Sequence, residues 1–323
     1  VGTNFNDITP LRDTPSATMT INTFSASAGS TEVVINATAH GTNTGDFVTF
    51  AGASSLGGNI TADVLNQNYE IDSVIDSNNY QISATATASA SDTGNGGSSA
   101  TGTYEIPVGN GTLVFGYGWD TGTWGRLGWG SGSLQPVILP LTVWFFDNFD
   151  NDLIMNVNTD GKGKIYYWER GSATDPTAVL GTRAVKMSTR SNAKNIPAEV
   201  GQIFVSQTDR HLLAFGATPY DATVQAEDTG TFDPLLIRFS NQDEPENFRP
   251  EITNSAGFLK VSSGTRIVTA AKTRQEILVF TDASVHSLQF LGTSEVFGLQ
   301  ELESNVSIAG PRSVISASNV LYW

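Results

Sequence analysis

The amino-acid sequence predicts an all-β protein, and three observations lead to this class. Apolar residues rarely recur at helical spacing, because most windows of about 12 residues contain Gly, Pro or a cluster of Ser, Thr, Asn and Asp. β-Branched residues dominate the apolar positions. Short apolar runs alternate with turn signals along the chain. All three are typical of short antiparallel strands joined by tight turns.

Composition excludes several classes of function. The 323 residues carry 17 Lys and Arg against 32 Asp and Glu, a net charge of −15, and contain no Cys. Without Cys there is no disulfide, thiolate metal site or Cys nucleophile. The negative charge argues against a nucleic-acid binder, because affinity for phosphates comes from Lys and Arg. No run of about 18 apolar residues predicts a membrane span, so we expect no membrane insertion by this segment.

The length predicts two domains, or one large β architecture with an insertion, since a single core rarely grows beyond about 250 to 300 residues. The distribution of charge predicts two regions of different character. Residues 1–125 carry one basic and 11 acidic residues, and residues 126–323 carry 16 and 21. The chain starts at Val1 and stops at Trp323 inside an apolar alternating run. We therefore expect it to be a piece of a longer polypeptide.

Residues 17–103 are expected to form an inserted small β-sandwich or barrel. Turn signals at 41–46, 57–59 and 76–79 separate short alternating runs. The Ala-, Ser-, Thr- and Gly-rich stretch 85–103 is interpreted as a flexible loop, with a flat edge strand as the alternative. The expected strands are 32–36, 47–51, 69–74, 80–84 and 102–108.

Residues 1–16 and 104–323 are expected to form the second domain, because from residue 137 onward the chain reads as successive hairpins. Four or more such units predict a β-propeller-like platform. Too few blades fit before Trp323, so the propeller is incomplete in this chain. His211 and His286 occupy matching places in two hairpins, which favours a packing role for both.

A segment rich in Gly and Trp lies between the two regions of different character. Trp119, Trp124 and Trp129 recur every five residues between glycines, which lets the backbone approach large flat side chains. One interpretation is an ordered loop that anchors a subunit or domain contact, because aromatic residues carry much of the energy of buried interfaces. A platform that stacks on sugars is the alternative.

Candidate metal and catalytic residues give weak patterns. Residues 156–161 match the opening of a calcium loop, but Tyr167 stands where a bidentate Glu is required, so a hairpin turn is expected. No nucleophile elbow is present, and we predict neither an enzyme nor a cofactor or metal site. Two clusters of carboxylates are interpreted as solvated turns or acidic surface. The first is Asp147, Asp150 and Asp152, and the second is Asp243, Glu244 and Glu246.

Several segments together carry a resemblance to a known family. They include Asn6-Asp-Ile-Thr-Pro-Leu-Arg12, the Gly116–Gly130 run, Ser206-Gln-Thr-Asp-Arg-His-Leu-Leu-Ala-Phe-Gly216 and Thr273-Arg-Gln-Glu-Ile-Leu-Val-Phe-Thr-Asp282. In this order they resemble the tail nozzle, or tail tubular protein, family of short-tailed phages. The likeness covers most of residues 1–12 and 104–323.

The inserted region carries a second resemblance. Ala39-His-Gly41 with Thr44-Gly-Asp-Phe-Val48, and Asn79-Tyr-Gln-Ile82, are similar to a small phage β-module. That module is related in fold to the first catalytic-cysteine half-domain of ubiquitin-activating enzymes. The likeness implies no activity, because this chain has no Cys.

The nozzle resemblance implies a structural virion protein of the tail. Its expected partners are further copies in a ring, usually of six, a head-to-tail adaptor, tail fibres or spikes, and genomic DNA that passes without specific binding. Asp147, Asp150, Asp152, Asp243, Glu244 and Glu246 are candidates for an acidic lumen that repels DNA. The alternative is a receptor- or glycan-binding tail protein, with weak hydrolase activity as an extension, and a capsid decoration protein is a third class.

Overall fold

The computed structural model describes residues 8–11, 17–19, 23–105, 108, 142–170, 183–274, 276–293, 295–317 and 320–323. In these ranges the chain is nearly all β, which confirms the predicted class. It divides into two compact units, Leu11–Val137 and a larger unit of Val1–Pro10 with Ile138–Trp323. The predicted boundaries at 16/17 and 103/104 lie inside the first of these units.

The Leu11–Val137 unit contains one antiparallel sheet in the strand order β1-β8-β4-β5-β6-β3-β2-β7. A four-residue helix, α1 (Ala62–Leu65), precedes β5, and Thr61 caps it by accepting from the Val64 N–H. The strands are β1 (Ala17–Thr18), β2 (Phe24–Ala26), β3 (Glu32–Asn36), β4 (Phe47–Ala51), β5 (Asn68–Asp76), β6 (Asn79–Ser83), β7 (Asp92–Asn95) and β8 (Thr101–Glu105).

One core is enclosed by this sheet. Alternate residues of β3, β4 and β6 are buried, as expected of strands with one solvated face. β5 pairs with β4 through its first residues and with β6 through its remainder, so it joins the two halves of the sheet. The stretch 85–103, expected to be a loop with a flat edge strand as the alternative, contributes the edge strand β7 and the start of β8, so the alternative is correct there. β7 adds to the sheet through its backbone pairing with β2.

The larger unit contains an eight-stranded antiparallel sheet and a four-stranded one, followed by a hairpin. The two halves of the eight-stranded sheet are joined through the pairing of Gly163 with Val200 and are called the first and second sheets below, and the four-stranded sheet is the third. The first sheet comprises β9 (Thr142–Phe149), β10 (Asp152–Thr159), β11 (Lys162–Trp168) and β12 (Val185–Lys186). The second comprises β14 (Val200–Ser206), β15 (His211–Ala217), β17 (Asp233–Phe239) and β18 (Gly257–Lys260). The third comprises β19 (Ile267–Lys272), β20 (Ile277–Thr281), β21 (Ser284–Phe290) and β22 (Phe297–Ser304). β13 (Ile196–Pro197) and β16 (Glu227–Asp228) form a short parallel pair, a 3₁₀ turn spans Met187–Thr189, and the hairpin is β23 (Ile315–Ala317) with β24 (Val320–Tyr322).

The three sheets pack face to face through separate cores. In β15, Leu212 and Ala214 contribute to the core shared with the first sheet. Leu213 and Phe215 contribute to the core shared with the third sheet. All seven residues of β15 are buried, because both faces of the strand are covered. Packing of this kind, with sheets of four strands, is typical of propeller blades.

Polar contacts also join neighbouring sheets. Gly163 of β11 pairs with Val200 of β14, where a Cβ on Gly163 would overlap the Val157 carbonyl. The buried side-chain amide of Gln202 in β14 accepts from the Ala270 N–H at 2.9 Å and donates to the Ala270 carbonyl at 3.2 Å. Gln202 thereby acts toward β19 as a neighbouring strand residue does.

Candidate functional site

Three tight turns of the larger unit meet around the guanidinium of Arg210. Asp150 accepts from both terminal nitrogens of Arg210 at 2.7 Å, and Asp243 accepts from its Nε. The ring of Phe149 lies 5.1 Å from the guanidinium carbon. Asp150, Arg210 and Asp243 have φ of 53°, 57° and 61°, the left-handed region that Asp tolerates better than Arg. The hydrogen bonds from Arg210 hold the pKa of Asp150 below its usual value.

Asp147 joins elements of all three sheets. It lies in β9, accepts from the Val205 N–H of β14 at 2.9 Å, and pairs with Lys272 of β19. The Lys272 ammonium lies 5.0 Å from the centroid of the Phe204 ring. Residues 147–152 were expected to be a solvated loop, but both Asp147 and Asp152 lie in strands, because the β9–β10 turn is only two residues long.

A third cluster forms around Arg190. Its guanidinium lies 4.2 Å from the centroid of the Tyr167 ring and pairs with Glu246 and, at 3.3 Å, with Glu169. The Tyr167 hydroxyl donates to Asp152 at 2.5 Å. Burial, and then this hydrogen bond, raise the pKa of Tyr167. Each of the three clusters therefore combines a cation, an aromatic ring and a carboxylate.

The predicted acidic residues are held by internal partners. Glu244 accepts from the side-chain amides of Asn241 and Asn247, both at 2.9 Å, which lowers its pKa. Glu246 is only 8% exposed, so it differs from the expected acidic surface, because Arg190 draws it inward. Whether the more exposed carboxylates face a lumen stays a prediction. Trp119, Trp124 and Trp129 lie outside the described residues.

A buried ion pair lies at the centre of the second sheet's connections. Arg238 of β17 and Asp228 are both 0% exposed in their side chains, and the Nη1–Oδ2 distance is 2.6 Å. Arg238 also donates to the main-chain carbonyls of Thr218, Asn195 and Phe248 at 2.9 to 3.1 Å. The second oxygen of Asp228 accepts from the Asn195 amide at 2.7 Å. The pair thus fastens three loop segments to one strand.

The sequence interpretation missed this pair. Its signal was an Arg inside the apolar run Leu235-Leu-Ile-Arg-Phe239, where an alternating strand would not place a charge without a partner. The partner, Asp228, lies ten residues away in a short strand that no periodicity marks. Arg238 therefore has a structural role, and its fully buried position gives a ligand no access.

His211 and His286 are both buried, which confirms the packing role predicted for them. The Nδ1 of His211 is 2.8 Å from the Ser240 carbonyl, and its ring lies against Phe239, Phe290 and Phe297. Its Nε2 has no hydrogen-bond partner. Burial lowers the pKa of His211, so the neutral ring is the form that this site accepts.

Lowering the pH is expected to weaken the larger unit through His211. A His whose folded-state pKa is lowered binds more protons when unfolded, so its stability contribution is lost as pH falls below the unfolded value of 6.5. Chemical unfolding at about pH 7.5 and about pH 5.5 measures this loss. His211→Gln keeps a donor for the Ser240 carbonyl and should lose less stability over the same interval. An equal loss in both proteins would assign the effect to other groups.

Ser284 and His286 are in contact like a catalytic Ser–His pair, but a substrate cannot reach them. The Ser284 hydroxyl is 2.9 Å from Nε2 of His286 and 2.8 Å from the Thr281 hydroxyl. Ser284 is fully buried at the start of β21. A nucleophile must reach its substrate, so this pair serves the turn. No group of three metal-ligating side chains occurs among the described residues.

Two surface grooves lie between the second and third sheets. The larger, of about 700 Å³, lies between the outer strands β18 and β22 and is lined by Phe239, Phe297, Leu299 and the carboxylates of Glu251, Glu295 and Glu301. The smaller, of about 300 Å³, lies at the strand ends and is lined by Phe290, Asp209, Arg274 and Glu276, among others. In the described part of the chain, no helix is long and apolar enough to cross a membrane.

Comparison with known proteins gives a weak likeness to a solved structure. No protein-family profile and no curated protein matches the chain. Among solved structures, the chain is similar to the phage phi92 endosialidase, with 14% sequence identity and a TM-score of 0.26. The match covers 91% of this chain and 42% of the endosialidase chain, so the chain spans less than half of that protein's length. A TM-score of 0.26 does not establish a common fold.

Proposed function

We propose that the chain is a structural component of a phage tail, and specifically a subunit of the nozzle or hub ring below the head-to-tail adaptor. The ordered sequence resemblance over residues 1–12 and 104–323 motivates this proposal. In it, the larger unit serves as a platform for neighbouring subunits and for fibres or spikes, the genome passes without specific binding, and no chemical step is carried out.

The observation that supports a structural role best is the two-sided burial of the central strands. β15 has no solvated residue, and its alternate side chains belong to two different cores. The cations in the three clusters around Arg210, Lys272 and Arg190 are each engaged with a carboxylate and a ring of the same chain. Because these side chains contact other residues of the same chain, they stabilise turns and sheets rather than bind a ligand. A structural platform requires this kind of stability.

The mass of the native assembly tests this proposal. Light scattering and negative-stain images of the same sample should reveal a closed ring of about six subunits with a central hole. Trp124→Ala should weaken the ring if the Trp segment anchors the subunit contact. Trp323→Ala is the matched control, since Trp323 is 58% exposed and lies far in sequence from the Trp segment. A monomeric or trimeric wild-type protein would contradict the ring.

The second candidate is a glycan-binding tail protein, and the smaller groove favours it. Phe290 is 39% exposed there and lies with Asp209, Arg274 and Glu276, which matches the aromatic surface and convergent polar groups of small-ligand sites. A glycan array with wild-type protein tests this function. Binding that Phe290→Ser abolishes, in a protein that forms no ring, would replace the nozzle proposal.

A further inference from the structure

Negative charge is concentrated on the third sheet. Between residues 275 and 311 the chain has five carboxylates and no Lys or Arg. Glu301 and Glu303 lie in the exposed second half of β22, on opposite faces of the sheet because the register with β21 shifts between them, and Glu295 lies two residues before the strand. None of the ion pairs in the described ranges involves these three residues. Their charges therefore lack the compensation that the clusters around Arg210, Lys272 and Arg190 give to other carboxylates.

The same strand is an open edge of its sheet. In the described strands, β22 pairs only with β21, and β18 pairs only with β17. The 700 Å³ groove separates these two edges, with Phe239, Phe297 and Leu299 among its lining residues. A strand with one neighbour presents main-chain N–H and C=O groups along its free side. β22 thus combines an available backbone, an apolar groove and uncompensated carboxylates.

The opposite wall of the groove does not neutralise this charge. Lys260 of β18 pairs with Asp233 at 2.6 Å, so its ammonium already has a carboxylate partner. Glu251 lies 3.4 Å from Arg249, so these two charges also offset each other. Glu301 accepts from the Ser263 hydroxyl at 2.6 Å, a neutral donor that leaves its charge in place. The groove as a whole is therefore negative.

We propose that β22 is a docking edge for an extended basic segment of a partner protein. The segment adds to the third sheet as a further antiparallel strand, through main-chain hydrogen bonds. Its apolar side chains lie against Phe297 and Leu299 in the groove. Two Lys or Arg side chains lie against Glu301 on the groove face and Glu303 on the opposite face, because the β-bulge in β22 separates these two carboxylates. This surface does not depend on ring formation, so it can be tested whether or not the nozzle proposal holds.

The negative charge of β22 also argues against a second copy of this chain as the strand that binds there. Pairing β22 with β22 of another copy would bring Glu301 and Glu303 close to the same carboxylates, and like charges facing each other across strands are destabilising. Carboxylates on an edge strand discourage such self-pairing. The same carboxylates attract a cationic strand. They therefore exclude a second copy of this chain and favour a basic segment of a partner.

The probe for this edge, called the Lys-Val peptide, is a fluorescein-labelled peptide of about ten residues, long enough to span the eight residues of β22. It has two adjacent Lys near its amino end, followed by Val at every second position with Thr between them, so that an antiparallel strand places Lys against Glu301 and Glu303 and Val against Leu299 and Phe297. Fluorescence anisotropy with the wild-type chain should detect binding, and hydrogen exchange should report protection of β22 amides in the complex. An otherwise identical peptide with Glu in place of Lys should not bind. N-methylation of alternate residues should abolish binding in one register and preserve it in the other, because only one side of an added strand faces β22.

Charge reversal on the protein supplies the matched comparison. E301K/E303K should weaken the binding of the Lys-Val peptide by at least about tenfold. E70K/D72K reverses two exposed carboxylates at the same spacing in β5, and should change the affinity by less than about twofold. Circular dichroism confirms that both variants fold.

Three results would overturn the proposal. One is no binding of the Lys-Val peptide to the wild-type chain. Another is equal binding in both N-methylated registers, since this would indicate attraction without strand addition. The third is equal loss of affinity in E70K/D72K and E301K/E303K, since this would assign binding to the net charge of the chain.

Discussion

Arg238→Met is expected to lower the free energy of unfolding of the larger unit by about 3–5 kcal/mol, because it leaves the Asp228 carboxylate buried without its counter-charge. It also removes the donors to three main-chain carbonyls, which have no water to replace them at a fully buried site. Hydrogen exchange of the β15 and β17 amides at increasing urea concentration measures the loss in this unit alone.

Two further variants make the Arg238 result specific. Lys162→Met breaks an exposed ion pair with Glu199 and should cost less than about 1 kcal/mol. Adding Asp228→Asn to Arg238→Met should restore part of the stability, because it removes the uncompensated charge. If Arg238→Met and Lys162→Met cost the same, the buried pair does not hold the loops as described.

Phe215→Ala is expected to lower the same free energy by about 3–5 kcal/mol, because it opens a cavity between two sheets that are both already covered. Phe215 is 1% exposed and packs edge-on against Phe204, with ring centroids 5.9 Å apart. The neighbouring strands cannot close the space easily, since each is held by its own ladder. Urea unfolding followed by hydrogen exchange of the β15 amides measures the loss.

Phe258→Ala is the matched control for Phe215→Ala. Phe258 lies in β18 of the same sheet but is 53% exposed, so truncation removes little buried surface. A loss for Phe258→Ala as large as that for Phe215→Ala would mean that β15 is not the centre of the stack. A small loss for both would contradict the two-sided burial of β15.

Strands with strict alternation were the most predictable part of the fold. The bounds expected for 32–36 and 47–51 agree with β3 and β4, because each places apolar residues on one face and polar residues on the other. For β7 the sequence favoured a loop over an edge strand, because Asp92-Thr-Gly-Asn95 has no apolar residue and its place in the sheet depends on backbone pairing with β2. Backbone hydrogen bonds between strands do not depend on the side chains, so this pairing leaves no pattern in the sequence.

Residues of the candidate sites were less predictable, because their partners are distant in sequence. Asp150 and Asp243 were recognised as acidic turn residues, but their shared contact with Arg210 depends on how three turns meet. The acidic edge of β22 was also missed. Its open side becomes apparent only when the strand order is known.

The side-chain amide of Gln202 has a consequence for how the second and third sheets align. Two apolar faces can slide along each other with little change in buried area, because the hydrophobic effect has no direction. The paired hydrogen bonds of Gln202 to Ala270 are directional and lie where water cannot replace them. If one sheet shifted by one residue along the other, both hydrogen bonds would break and the Gln202 amide would be buried without a partner. Gln202 therefore selects a single axial alignment of the two sheets, which packing alone would leave free to vary.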